Sequence, residues 1–293
     1  MTEPTAVRPK TPVQPTPTMA GGWKHRAGLI GFALIGGALI FAGGTPYFDL
    51  TPANDNAIYN AILFASFWLM TRVLRRSPVL ASWAGCSHAL SLAAAAMAVM
   101  VIGPFNWLVT AQEGSVQQAL QDKLAQFLSV VPTILLLTWA ERRPWSRVYL
   151  QRGLPRRWLT FGLGSLAACA VAVSLVAVAD GASASALASV APWVLAFAAL
   201  NAVMEELWFR GIFLRPYEEG MGPAGAVVVT GLVFGAGHLA ATYISAAEQL
   251  LFAALVAGLG VVLAWAMRWA NALWGAVLFH VGLDLVVILE FVD

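Results

Sequence analysis

Charge is what this sequence has least of. Only 11% of its 293 residues are Asp, Glu, Lys or Arg, against about 25% in a soluble domain. Hydrophobic residues make up 59%, and the mean hydropathy is +0.74. A soluble core of this length cannot hide so much apolar sequence, so lipid must replace the missing polar surface. A net charge of only +2 argues against nucleic acid, which favours a concentrated basic patch. Cysteine is almost absent, and Cys86 and Cys169 lie in apolar stretches without metal-ligand spacing. Neither a disulfide framework nor a cysteine metal site is expected. Residues 1–22 lack any apolar run and are rich in Pro and Thr. They read as a disordered cytoplasmic tail, and no signal peptide is expected. Lysine is confined to Lys10, Lys24 and Lys123. With abundant alanine, that preference for arginine fits a GC-rich prokaryotic genome and hence a cell (inner) membrane.

Nine apolar runs are long enough to be candidate spans: 27–44, 57–74, 79–102, 124–140, 158–179, 190–214, 226–246, 249–267 and 270–292. Positive residues stay on the cytoplasmic side of a membrane. With the N-terminus inside, this assignment puts 16 of the 17 Lys and Arg there and leaves Lys123 opposite. The opposite loops carry Asp49, Asp55, Glu113, Asp122 and Asp180 instead. The expected fold is therefore an all-α polytopic bundle of about nine spans, with N inside and C outside. Residues 23–189 form an N-terminal transmembrane region of about five spans, and 190–293 hold about four more. The arginine-rich loop 141–157 mixes charge with Trp145, Tyr149 and Leu150, the composition of a short helix in the headgroup layer. No internal repeat of the transporter kind is visible.

Ionisable groups inside a span cost roughly 2.5–3.5 kcal/mol each near its centre. They are concentrated in the last third of the chain. Glu206 and Arg210 stand four residues apart with the acid first, the favourable order for a helical ion pair. Glu205 lies ~100° around the helix and lacks that partner, which suits a group that takes and returns protons. Phe234 and His238 share one face of the seventh run, and His280 and Asp284 share one face of the ninth. Counted at 1.5 Å per residue from the cytoplasmic ends, Glu205, His238 and His280 lie about 14, 18 and 15 Å deep. One shared polar site within the bilayer is thus feasible. His88, alone among alanines and serines, reads as a packed or hydrogen-bonded residue.

At these positions the sequence resembles the CAAX-protease and bacteriocin-processing (CPBP, or Abi) family, which includes the type II CAAX prenyl endopeptidases. The family pattern runs EExxxR, FxxxH, then HxxxN or HxxxD. Here it reads Glu205-Glu206-Leu-Trp-Phe-Arg210, Phe234-Gly-Ala-Gly-His238 and His280-Val-Gly-Leu-Asp284. The resemblance covers about residues 190–292. It implies a glutamate-dependent intramembrane endopeptidase acting on a membrane-associated or lipidated protein or peptide. By that resemblance Glu205 and His238 activate water, while Glu206 and Arg210 position their helix, with a supporting role for Glu206. His280 and Asp284 face the oxyanion, and Phe234 walls the substrate side.

Many family members carry Asn where this chain has Asp284. An ionised carboxylate cannot donate a hydrogen bond. Asp284 is therefore either a protonated donor or, as favoured here, the group that orients His280. No cofactor is expected. Two glutamates and two histidines could instead bind zinc, but HExxH is absent. The competing reading from another class is a non-hydrolytic proton-coupled carrier or scaffold, since buried Glu, His and Asp also serve proton relays.

Overall fold

The structure is a computed structural model, described here for residues 22–44, 56–239, 245 and 248–292. Among the described residues there is no strand. The helices in chain order are α1 (Trp23–Phe41), α2 (Asn56–Leu74), α3 (Ala81–Ile102), α4 (Val116–Ala140), α5 (Pro155–Ala179), α6 (Ala184–Glu205), α7 (Leu214–Gly237), α8 (Gln249–Ala270) and α9 (Trp274–Asp284). The expected N-terminal tail lies outside the described residues, as do the 240–244 end of the seventh apolar run and its residue 246. Among the described residues, eight helical segments are long and apolar enough to cross a membrane. This is a multi-pass membrane protein.

The ninth run differs from expectation. Its α-helix lasts only 11 residues, and Leu285–Glu290 continue as a 3₁₀-helix. Three consecutive β-branched residues, Val286, Val287 and Ile288, fall in that tightened stretch, where crowding lowers α-helix propensity. The tighter helix climbs faster, so the two pieces together still rise ~28 Å. Helix α7 also differs. It begins with about two amphipathic turns, LRPYEEGM, before Gly222 breaks it at φ 83°. Pro223 follows, and a proline disfavours α-geometry in the residue before it.

Helix α3 is the most buried of the spans. Its run of alanines lets neighbours approach, and it packs against α1, α2, α4 and α7. The indole Nε1 of Trp208 donates to the Ala93 carbonyl at 3.3 Å, tying the segment after α6 to α3. The N-terminal helices are thus packed directly on the site-bearing ones.

The loop after α4 is a clasp more than a headgroup helix. It holds only one 3₁₀ turn, Trp145–Val148. The Leu154 amide donates to the Ala270 carbonyl at 2.8 Å, and the Leu273 amide donates to the Tyr149 carbonyl at 3.1 Å. Arg215 donates to the Ser146 carbonyl and to Asn271 Oδ1, each at 2.7 Å, with its guanidinium over the buried Tyr149 ring. Arg147 pairs with Glu219, and Arg268 with Glu218. These arginines act as struts between elements. His88 is buried against this rim, with its Nε2 3.1 Å from Glu141.

Candidate active site

Helix α6 starts at a capped end, where Ser183 accepts from the Ala186 amide at 3.1 Å. It does not end as an ordinary α-helix. Glu206–Gly211 form a π-helical turn, marked by the Ile212 amide reaching back five residues to the Leu207 carbonyl at 3.1 Å. Such wide turns occur mostly as single insertions in α-helices and often at functional sites. This one contains the second glutamate and the arginine of the first motif.

Glu206 and Arg210 are both fully buried. Arg210 Nη1 donates to Glu206 Oε1 at 2.8 Å, and the guanidinium carbon lies 3.9 Å from the Phe234 ring centroid. Room for that guanidinium comes from the α7–α8 seam. A Cβ at Gly260 would sit 2.9 Å from Arg210 Nη2, and one at Gly235 only 2.5 Å from the Ala253 carbonyl. Only glycine permits this approach. A dry ion pair gains its keep through further hydrogen bonds, and Glu206 Oε1 makes one more. It accepts from His280 Nδ1 at 2.8 Å.

That contact fixes the imidazole. With Nδ1 turned to Glu206, Nε2 faces two other carboxylates, Glu205 Oε2 at 3.6 Å and Asp284 Oδ1 at 3.5 Å. Asp284 Oδ2 in turn accepts from Asn201 Nδ2 at 2.9 Å. A continuous chain therefore runs Asn201–Asp284–His280–Glu206–Arg210, from α6 to α9 and back to the π-turn. Counting from the helix ends gives His280 a depth of ~9 Å and Gly260, beside Arg210, ~15 Å. Of the helices around the cluster, α6, α7 and α8 are long and apolar enough to cross a membrane.

His238 caps the end of α7. Its Nδ1 donates to the Phe234 carbonyl at 2.9 Å, so in the neutral ring Nε2 keeps its lone pair. The Phe234 ring stands edge-on to both histidines, with centroids 4.5 Å from His238 and 6.0 Å from His280. Glu205 lies within electrostatic range of both imidazoles. Among the described residues no hydrogen bond or ion pair joins His238 to a carboxylate. The structure thus gathers Glu205, Glu206, Arg210, Phe234, His280 and Asp284 in direct contact, with His238 one ring away. Among the described residues no group of three or more His, Cys, Asp or Glu is placed to hold a metal ion.

Two residues near the cluster were missed in the sequence. Asn201 stands one helical turn before Glu205, and a lone amide in an otherwise apolar helix was the signal. Lys123 entered the sequence reading only as the one positive charge outside the cytoplasmic set. It lies on α4 over the Phe197 ring at 5.6 Å and within electrostatic range of Glu205 and Asp284.

No curated protein and no solved structure matches this chain. Residues 187–286, which hold all three motifs, match the Rce1-like family model, described as Type II CAAX prenyl endopeptidase Rce1-like. Over about a third of its length, in the C-terminal part, this multi-pass membrane protein is thus similar to the Rce1-like family of CAAX-type endopeptidases.

Proposed function

We propose that this protein hydrolyses a peptide bond of a membrane-associated or lipidated protein or peptide, using Glu205 as the base. The observation that carries this reading is the convergence on His280 Nε2. Groups from α6 and α9 meet there, while the buried Glu206–Arg210 pair holds the ring from behind. A base and a donor held at one point by separate rigid helices are what amide hydrolysis needs.

Water sits between Glu205 and Nε2 of His238, and Glu205 takes one of its protons as the oxygen adds to the peptide carbonyl carbon. The developing oxyanion faces the His280 N–H, which supplies charge where it forms. The intermediate then collapses, the C–N bond breaks, and Glu205 returns its proton to the leaving amine. Asp284 orients His280 by accepting at Nε2 before substrate arrives. Phe234 walls the pocket and keeps both imidazoles edge-on to the same ring. Both rings are held at Nδ1 by the protein, and none of these roles calls on a metal. A chelator should leave cleavage unchanged, and loss of activity restored by zinc would reverse that assignment.

The substrate class is an extended peptide near a membrane-associated C-terminus: a lipidated CAAX-like tail, a bacteriocin-type peptide or a sorting helix. The setting is a prokaryotic cell membrane with the N-terminus inside, and with 190–293 as catalytic core on a 23–189 transmembrane region. The test compares the termini of membrane proteins in cells holding equal amounts of wild type or Glu205→Gln. New C-terminal ends found only with wild type are expected, and they name the substrate. Identical termini, with candidate substrates present in both, would replace this reading with the carrier or scaffold.

A further inference from the structure

We infer that Asn201 is a further residue of the site, one that sets Asp284 and takes hold of the substrate backbone. The inference rests on the endopeptidase reading above. Asn201 is 8% exposed, on the face of α6 that also carries Glu205 one turn later. Its two side-chain ends are in different situations. Nδ2 donates to Asp284 Oδ2 at 2.9 Å across 83 residues of sequence. Oδ1 is buried without a hydrogen-bond partner among the described residues.

An orphaned acceptor in an apolar helix is costly to keep. A stabilising amide would satisfy both ends, and an apolar residue would avoid the cost. Asn201 does neither. Its engaged end leaves Asp284 with one oxygen for His280, so the carboxylate cannot swing away from Nε2. Its free end keeps an unused lone pair one helical turn before Glu205, the proposed base near which the scissile bond must lie. The complement of that lone pair is a peptide N–H, which an extended substrate strand offers at alternate residues. Asn201 Oδ1 accepting that N–H would align the carbonyl with the His280 donor and the Glu205 base. The chain thereby distributes an amide and an acid over α6 and α9.

That arrangement makes a reciprocal exchange informative. Asn201→Asp sets two carboxyl groups against each other. Adding Asp284→Asn rebuilds the bridge with its direction reversed and leaves a free oxygen on residue 201. Cleavage of the substrate identified by terminus comparison is measured in vesicles, with kcat and KM separated. Thermal unfolding in detergent is followed beside it. Asn201→Ala should lower kcat about 10–100-fold, and Asn201→Asp at least as far, while the double exchange should return to within about tenfold of wild type. Asn201→Ala cutting as fast as wild type, or an exchange no better than Asn201→Asp at equal thermal stability, overturns the assignment alone. A wild-type protein that shows no Glu205-dependent cleavage overturns the proteolytic reading itself and this assignment with it.

Discussion

The protein contains two clusters of the same composition, an imidazole, a carboxylate and a guanidinium, in two settings. In one, His280, Glu206 and Arg210 sit inside the helices, with the acid and arginine at 0% exposure. In the other, His88, Glu141 and Arg143 sit at the rim, where the Glu141 side chain is 30% exposed. The difference teaches that setting, not composition, separates the candidate active site from a fastening. Water screens the rim pair, so its worth is small. The interior pair has no such screen, and removing either member strands a charge. Beside the interior pair stands Glu205, a second acid outside the Glu206–Arg210 pair, whereas the rim acids Glu218 and Glu219 are each paired with an arginine.

The sharpest way to break the comparison is Glu205→Gln. It should cut turnover by about 10³-fold or more while the thermal unfolding midpoint stays near wild type. A mutant that unfolds early would return Glu205 to a purely structural role like that of Glu141. Next comes Arg210→Met, which leaves Glu206 buried with only His280 to face it. We expect a loss of about 3–5 kcal/mol, read as a large drop in folded protein after detergent extraction. Gly260→Val pushes a side chain into Arg210 Nη2 and the Gly231 backbone, and should cost about 1–3 kcal/mol by overpacking.

The smallest effect belongs to the rim. Burial pushes the Glu141 carboxyl up, but the hydrogen bond and charge of His88, with Arg143 and Arg75, outweigh it and hold it below the usual carboxylate range. Its folded pKa is therefore lower than its unfolded value of about 4.3. The stability it adds is full above that value and is lost as pH falls through the lower folded one. Glu141→Gln should cost about 1 kcal/mol or less at pH 7. The gap between mutant and wild-type melting curves should close below about pH 4. A constant gap across that range would mean that packing, not charge, fastens the rim.

Much of the site was legible because a charge in an apolar run stands out against its background. Glu205, Glu206, Arg210, His280 and Asp284 were all visible on that ground, and helical spacing alone put His280 and Asp284 on one face. Less was legible where conformation departs without a change of composition. The π-turn lies in ELWFRG, whose residues suit an α-helix as well. Nothing in LVVILE announces a 3₁₀ ending with certainty, although its β-branched residues lean that way. The Gly222–Pro223 break was a plain punctuation signal. It passed as loop because the amphipathic turns before it carry Glu218 and Glu219, too polar for a span. Asn201 went unseen because its importance lies in a partner 83 residues away, and no single-sequence pattern encodes a long-range pair.

The π-turn also has a consequence for how this stretch tolerates change in length. A wide turn is what one inserted residue leaves behind in an α-helix. Deleting Trp208 would let the segment relax to the regular winding with the chain beyond it still in phase, but would bring Arg210 to three residues after Glu206 instead of four. The buried pair would lose its spacing without substitution of either residue. Substitutions at Leu207 or Trp208 test packing, whereas this deletion tests spacing. The six-residue segment thus behaves as a gear tooth, whose count of residues matters as much as their identity.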